Sequence, residues 1–379
     1  MTTLVTARRI VTARADLRDG WLVIDDADTA GSVGTVRGTG TGTPPTTDRT
    51  IAVEGTIVPG MVDLHAHGAL GHDFSRCDAD QAVAAAAHHR ARGTTTLVAS
   101  IATGPMEDTA AALARLRPLV VAGTLGGLHL EGPWLSPARR GAHRADVLHA
   151  PTPGELDTYL AAADGALRIV TLAPELPGSL DAVRRLVAEG VVVALGHTDA
   201  SADETRQAID AGATLVTHVF NGMPPVHHRA PGPVGVALTD ERVLLECIVD
   251  GHHLDPVTVD LVQRAAPGRT VLVSDAMSAT GCGDGDHTIA GSAVSVRDGV
   301  AVLADGSSLA GSTITVADAA RRLLASGTPL PEVVAASATR SSRLLDAPAP
   351  LSIGAPADVL VIDDASSAWT PLSLEAVRS

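Results

Sequence analysis

At 379 residues the chain exceeds one ordinary core, and its size fits a barrel of about 250 residues or more with a smaller appendage. Apolar residues at 45% and charged residues at 19% are the proportions of a packed globular protein, which excludes a disordered chain. A formal net charge of −15, from 43 acidic and 28 basic residues, repels nucleic acid and anionic lipid, so neither is an expected partner and a phosphorylated ligand would need a local basic pocket.

The first residues, MTTLVTARRIVTARADLRDG, hold early arginines but no apolar signal core, and no run reaches the roughly 18 apolar residues of a membrane span. Up to about Ile57 short alternating segments, LVTARRIVTA and GWLVIDDA, are broken by a Gly, Thr and Pro stretch from Gly31 to Thr47. This pattern predicts a small β structure with a loose hairpin. The GTGTG at Gly38 to Gly42 lacks both a Walker lysine and a following helix, so it is not read as a phosphate loop.

From Thr56 onward eight apolar runs alternate with alanine-rich helical stretches: TIVPGMVDLHAH, TTTLVAS, GGLHLEG, LRIVTLAPE, GVVVALGH, ATLVTHVFN, RVLLECIVDG and TVLVSDA. Stretches such as DADQAVAAAAHHRARG and SLDAVRRLVAEG carry helical spacing and a closing glycine. Continuously apolar strands separated by helices mean a parallel sheet covered on its faces, and eight such units close into a (β/α)₈ TIM-like barrel. Two further helical stretches follow, and LSIGAPADVLVIDDA is again strand-like. The expected organisation is an α/β chain in which residues 1–56 and 346–379 build a small β-sandwich domain from both termini, around a barrel over residues 57–345.

Catalytic groups of such barrels sit at the C-terminal strand ends. The first run ends with His65 and His67, which share a face and lie about 7 Å apart along the strand, a chelate spacing. The third ends with Glu131, a carboxylate that requires a cation if it is buried, and His129 one inward position deeper is read as a supporting or packing residue. The fifth, sixth and eighth end with His197, His218 and Asp275. Five of the eight ends thus carry ligand-type residues, which points to a metal site of one or two divalent ions. Nitrogen and carboxylate donors without thiolate suit zinc and also accept iron, manganese or cobalt. Cys77, Cys247 and Cys282 are odd in number and far apart, which argues against a disulfide framework or thiolate zinc and for the cytoplasm.

The segments GLHLEGPWLSPARRGAH, VTLAPE, LGHTDA, THVFNGMPP, DGHHL, VSDAMSAT and LAGS resemble the N-acetylglucosamine-6-phosphate deacetylase family of the amidohydrolase superfamily, over about residues 52–363. The resemblance implies metal coordination by Glu131, His197 and His218, with Asp275 as general base and acid. The presence of His65 and His67 is similar to members that hold two ions bridged by Glu131. Substrate contacts carry over to Ala142, His143, Asn221, Gly222, Arg229, His253, Leu309, Ala310 and Gly311. Arg229 and His253 are the implied phosphate ligands, in a homodimer whose arginine reaches the neighbouring subunit's site. His227 and His228 beside Arg229, and His252 beside His253, leave open which cation touches phosphate.

The implied reaction hydrolyses N-acetyl-D-glucosamine 6-phosphate to D-glucosamine 6-phosphate and acetate, in amino sugar catabolism. Alternatives are an N-acetylgalactosamine 6-phosphate or unphosphorylated substrate, or a non-catalytic barrel that binds sugar phosphate. The last could dispense with Asp275 or a ligand histidine, yet all are present.

Overall fold

A computed structural model describes residues 1–26, 33–289, 291–363 and 368–372. Residues 27–32, which include the start of the turn-rich stretch at Gly31, and 364–367 and 373–379 near the C-terminus lie outside the described residues. The chain divides into two compact units, one of Met1–Val62, His89–Thr96 and Val316–Ser379, the other of Asp63–His88 and Leu97–Thr315.

The first unit contains a six-stranded mixed sheet in the order Trp369–Pro371, Val359–Asp363, Arg49–Pro59, Thr2–Val11, Asp16–Asp25, Thr35–Thr41. Both ends of the chain therefore build one sheet. Thr2–Val11 runs parallel to Arg49–Pro59 and antiparallel to Asp16–Asp25, with Val5 opposite Leu22. Alternation puts Leu22 and Ile24 on one face with Val5, opposite Leu22, and the cross-strand pair Ile10 and Ile57 joins them in one buried apolar cluster. Most of the GTGTG segment lies in the strand Thr35–Thr41, and no helix follows it.

Eight parallel strands, Met61–Ala66, Thr94–Ala102, Gly127–Glu131, Leu167–Leu172, Val192–Leu195, Leu215–Val216, Leu244–Cys247 and Thr270–Leu272, each hydrogen-bonded to the next in chain order, form a second sheet that lies in the second unit except for the first residues of its first two strands. These correspond one to one to the eight apolar runs, and helices intervene between most of them. The ends of the sheet meet across the first and last strands. The amide of Asp275 donates to the carbonyl of His65 (2.8 Å), and that of His67 to the carbonyl of Ala276 (2.7 Å), so the barrel is nearly closed. Buried Asp63 completes the seam, accepting the Ser274 hydroxyl at 2.5 Å and the backbone amides of Ser274 and His65 at 3.2 Å. Burial pushes the Asp63 carboxyl up to about 6 despite those hydrogen bonds.

Inside the barrel a polar chain links four strands. Ser100 Oγ meets His129 Nδ1 at 2.9 Å, His129 Nε2 meets Thr171 Oγ1 at 2.8 Å, and Thr171 meets Thr217 at 2.7 Å. His129 is therefore a hydrogen-bonded interior residue, held well below its ordinary pKa by burial and by the neighbouring His65. Close approach also explains Gly196: a Cβ there would lie 2.7 Å from Thr217 Cβ and 2.8 Å from Thr171 Cγ2.

A three-stranded antiparallel sheet, Gly285–Ile289, Ser292–Arg297 and Val300–Leu303, follows the last barrel strand. Sequence reading did not anticipate it. Its second turn is Asp298-Gly299, both at positive φ (52° and 75°), the Asp-Gly signature of a tight hairpin that was available in SVRDGVAV. Ile289, Val294, Val296 and Leu303 form its apolar face, against which Ala142 packs.

Candidate metal centre and active site

Two buried triads stand at the C-terminal rim: His65, His67 and Asp275, and Glu131, His197 and His218. Within each, the donor atoms lie within 4.8 Å of one another. Glu131 joins them. Its Oε1 lies 3.2 Å from His197 Nε2, 3.1 Å from His218 Nε2 and 3.6 Å from His65 Nε2, while its Oε2 lies 3.1 Å from His67 Nε2. Asp275 Oδ1 lies 3.5 Å from His65 Nε2 and 3.4 Å from His67 Nε2.

The backbone that delivers these groups is unusual. His197, His218 and Asp275 have φ of 45°, 25° and 48°, a region that non-glycine residues enter at a cost of about 1–3 kcal/mol and that clusters at functional sites. Each lies two or three residues beyond the end of its strand, at the C-terminal rim of the barrel. Gly222, at φ 61°, leaves room for the His197 ring: a Cβ there would come within 2.9 Å of its Nδ1.

The chemistry of the donors fits a divalent cation. His197 Nδ1 faces the carbonyl of Arg139 at 2.8 Å, so the ring proton belongs on Nδ1 and Nε2 presents a lone pair. His65 Nδ1 faces Glu246 Oε2 at 3.1 Å, with the same consequence. These lone pairs point at a carboxylate and at other imidazole nitrogens, with His197 Nε2 only 3.0 Å from His218 Nε2 and His65 Nε2 3.1 Å from His67 Nε2. Lone pairs at such separations repel unless a proton or a metal ion stands between them. Burial alone would lower the pKa of His65, but Glu131 and Asp275 outweigh it and hold the imidazole well above its ordinary value. Burial would raise Glu131, and the surrounding imidazoles, His65 and His143 foremost, hold it well below. Protons and metal thus compete for one set of sites.

Charge gives the same answer. Glu131, Glu246, Asp63 and Asp275 are all buried, and no arginine among the described residues lines the cavity above them. Four buried carboxylates whose charged partners are imidazoles alone favour a cation, and the triads suit one or two divalent ions. All 28 basic residues are arginines, so a bridging modified lysine is ruled out by the sequence itself.

The cavity over the triads is lined by Ala142, His143, Asn221, Gly222, Leu309 and Gly311 among the expected contacts, and by His253. Burial pushes His143 down to about 4, and its Nε2 lies 3.3 Å from Glu131 Oε2. His253 Nδ1 is held by Asp250 Oδ2 at 2.7 Å, whereas His252 is exposed and does not line the cavity. Ala310 is buried behind the wall in the hairpin-sheet cluster. Arg229 is not brought to the cavity. It lies exposed on the loop with His227 and His228, its Nη1 2.7 Å from His228 Nε2. Ser308 in the lining and Glu246 behind His65 escaped sequence reading. Glu246 had a signal, being the one acid inside the apolar run VLLECIV.

A barrel of this topology with a His and carboxylate cluster at its rim defines a metal-dependent hydrolase. The chain belongs to the amidohydrolase family, whose model matches residues 56–347. Within that family it groups with the N-acetylglucosamine-6-phosphate deacetylases. It is 30% identical over 365 residues to the enzyme of that name from Bacillus subtilis (strain 168), covering 93% of this chain and 91% of that protein. An N-acetylgalactosamine-6-phosphate deacetylase from Escherichia coli O157:H7 is 38% identical over 329 residues, covering 86% and 84%. Among solved structures, an N-acetyl-D-glucosamine-6-phosphate deacetylase mutant from Mycobacterium smegmatis, in complex with N-acetyl-D-glucosamine-6-phosphate, matches with a TM-score of 0.91 at 42% identity over 96% of this chain and 95% of that one.

Proposed function

We propose that the chain hydrolyses N-acetyl-D-glucosamine 6-phosphate to D-glucosamine 6-phosphate and acetate, in amino sugar catabolism. The observation that carries this is the convergence of both triads on Glu131 beside Asp275, in a chain 42% identical to an enzyme solved with that sugar phosphate.

Glu131, His197 and His218 would hold one divalent ion and His65 and His67 a second, with zinc favoured by the nitrogen and carboxylate donors. When bound, such an ion lowers the pKa of water from 15.7 to roughly 7 and polarises the amide carbonyl. Asp275 takes the proton of the attacking water and returns it to the sugar nitrogen as the carbon–nitrogen bond breaks. His143, kept neutral by burial, donates a hydrogen bond toward the acetyl oxygen as charge develops there. Leu309, Ala310 and Gly311 shape the wall, and Asn221 and Gly222 meet the sugar. His253, anchored by Asp250, faces the phosphate. Arg229, exposed on its loop, completes the phosphate site of a partner subunit in a homodimer.

The cytoplasm is the proposed compartment, supported by the three free cysteines. No helix among the described residues is long and apolar enough to cross a membrane.

Metal analysis of the isolated protein together with an acetate-release assay tests the reading. Activity is expected to vanish with a chelator and return with Zn²⁺, and metal-replete protein releasing no acetate from the sugar phosphate would refute it. The 38% identity to the galactosamine relative supports a second reading on the other epimer. Turnover of both phosphorylated epimers and of the free sugars, with and without Arg229→Ala, separates the two.

A further inference from the structure

We propose that Glu246 is a positioning residue that sets how tightly His65 and His67, beside Asp275, hold a metal ion, independently of the Glu131, His197 and His218 triad. The proposal rests on the reading of these donors as a metal centre.

Glu246 lies on the seventh barrel strand, is completely buried, and has no role in the reaction as derived above. Its Oε2 accepts from His65 Nδ1 at 3.1 Å and from the His218 backbone amide at 3.3 Å. Its Oε1 has no hydrogen-bond partner among the described residues. A carboxylate in this setting is costly, and the donors it has in the described structure are those two N–H groups. It therefore fixes the His65 proton on Nδ1, away from the metal-facing nitrogen.

The four imidazoles of the two triads divide evenly. His65 and His197 have an anchored Nδ1, while His67 Nδ1 and His218 Nδ1 have no partner among the described residues. Each triad thus contains one oriented ring and one free to choose its tautomer. The anchors differ in kind. His197 donates to the neutral carbonyl of Arg139, His65 to a carboxylate, and a carboxylate behind a ligand imidazole both fixes the ring and raises the basicity of its other nitrogen. Removing Glu246 should then weaken the His65 triad and leave the His197 triad nearly unchanged.

Zn²⁺ alone serves as the probe, titrated into metal-free wild type, Glu246→Gln and Glu246→Leu against a chromophoric chelator, with Co²⁺ absorption spectra of the same proteins. Wild type is expected to hold two equivalents. In the leucine variant one equivalent should weaken about 10–100-fold and the other by less than about threefold, as for loss of other outer-shell partners. The glutamine variant should fall between, since its amide oxygen still accepts the Nδ1 proton without the charge. Leucine fills the space but leaves the buried His65 Nδ1 and His218 backbone N–H without their acceptor, so its metal-free form should melt lower than wild type, and the glutamine variant, which keeps an acceptor, controls for that loss. Two equivalents held as tightly by the leucine variant overturn the proposal, as does equal weakening of both, or a wild type that holds only one. Wild type that binds no divalent ion brings down the metal-centre reading itself.

Discussion

The six-stranded terminal sheet and the rim of the barrel use burial in opposite ways. In the sheet the buried side chains of the core cluster are apolar, and charges sit at the surface in pairs such as Arg9 with Asp16 at 2.8 Å and Arg37 with Asp25 at 3.4 Å. At the rim, burial falls on four carboxylates and the four imidazoles of the triads, three of the ligand-type residues adopt left-handed backbone, and no arginine among the described residues lines the cavity. Burial in the first region removes apolar surface from water and stabilises. In the second it strips water from charge, which costs stability and makes each electrostatic interaction stronger. The rim is held in its strained form by what surrounds it, the Asp63 seam and the hydrogen bonds behind the rings.

The contrast predicts that substitutions separate cleanly into those that lower stability and those that lower turnover. Leu22→Ala, in the middle of the sheet cluster, should cost about 2–5 kcal/mol in denaturant unfolding, with kcat unchanged in the fraction that remains folded. A fall in kcat per folded molecule would show that the sheet takes part in the chemistry. Asp275→Asn should do the reverse, keeping metal and thermal midpoint while lowering kcat by at least about a hundredfold. Asparagine tolerates the left-handed backbone at φ 48°, so the side chain keeps its place and loses only its basicity. Near-normal turnover would remove Asp275 from the proton-transfer role.

How much of each region was legible follows from the same contrast. The barrel could be counted because parallel strands covered on both faces are continuous apolar runs, and a His, Glu or Asp at the end of such a run stands out. The runs overstate the strands, however. ATLVTHVFN yields only Leu215–Val216, because the positive φ at His218 and Phe220 ends the pairing there. Glu246 and Asp63 were passed over because each sits inside an apolar run and its purpose depends on a partner far along the chain, His65 at a separation of 181 residues and Ser274 at 211. Arg229 marks the limit of a motif. Its position in PPVHHRAPG is plain, yet the fold of one chain leaves it on an exposed loop.

Asp250 tests whether a charged pair at the cavity edge behaves like the surface pairs of the sheet or like the rim. Burial raises its pKa, but the hydrogen bond from His253 and the attraction of that ring outweigh it and hold the carboxyl at about 2, against 3.8 ordinarily. The folded state therefore favours ionised Asp250. That stabilisation is complete above about pH 4 and disappears as the pH falls through about 2. Because part of the pair is open to solvent, its contribution should be about 1–2 kcal/mol. Asp250→Asn should be destabilised relative to wild type at pH 6, and the gap should close between about pH 4 and 2 in acid unfolding followed by circular dichroism. A gap that persists at pH 2 would mean that asparagine disturbs packing and that the charge contributes nothing.

The smallest expected effect asks where the rim ends. Ser201 caps the helix Ala202–Asp210 in a reciprocal capping box: its hydroxyl accepts from the Glu204 amide at 3.2 Å, and its own amide donates to Glu204 Oε2 at 2.8 Å. The helix begins only a few residues after His197, so loss of the cap has a short route to the metal ligand. His197 is nevertheless secured from elsewhere. Its Nδ1 binds the Arg139 carbonyl, the next amide, that of Thr198, donates to the Gly222 carbonyl at 3.0 Å, and Glu175 accepts from the Thr198 hydroxyl at 2.6 Å and the Asp199 amide at 2.7 Å. Ser201→Ala should therefore cost about 1 kcal/mol, read as a fall of roughly 2 °C in melting temperature, with kcat and bound metal as in wild type. If turnover or metal content falls as well, the boundary moves outward, and the helix caps that follow the ligand-bearing strands belong to the apparatus that holds the rim in its strained form.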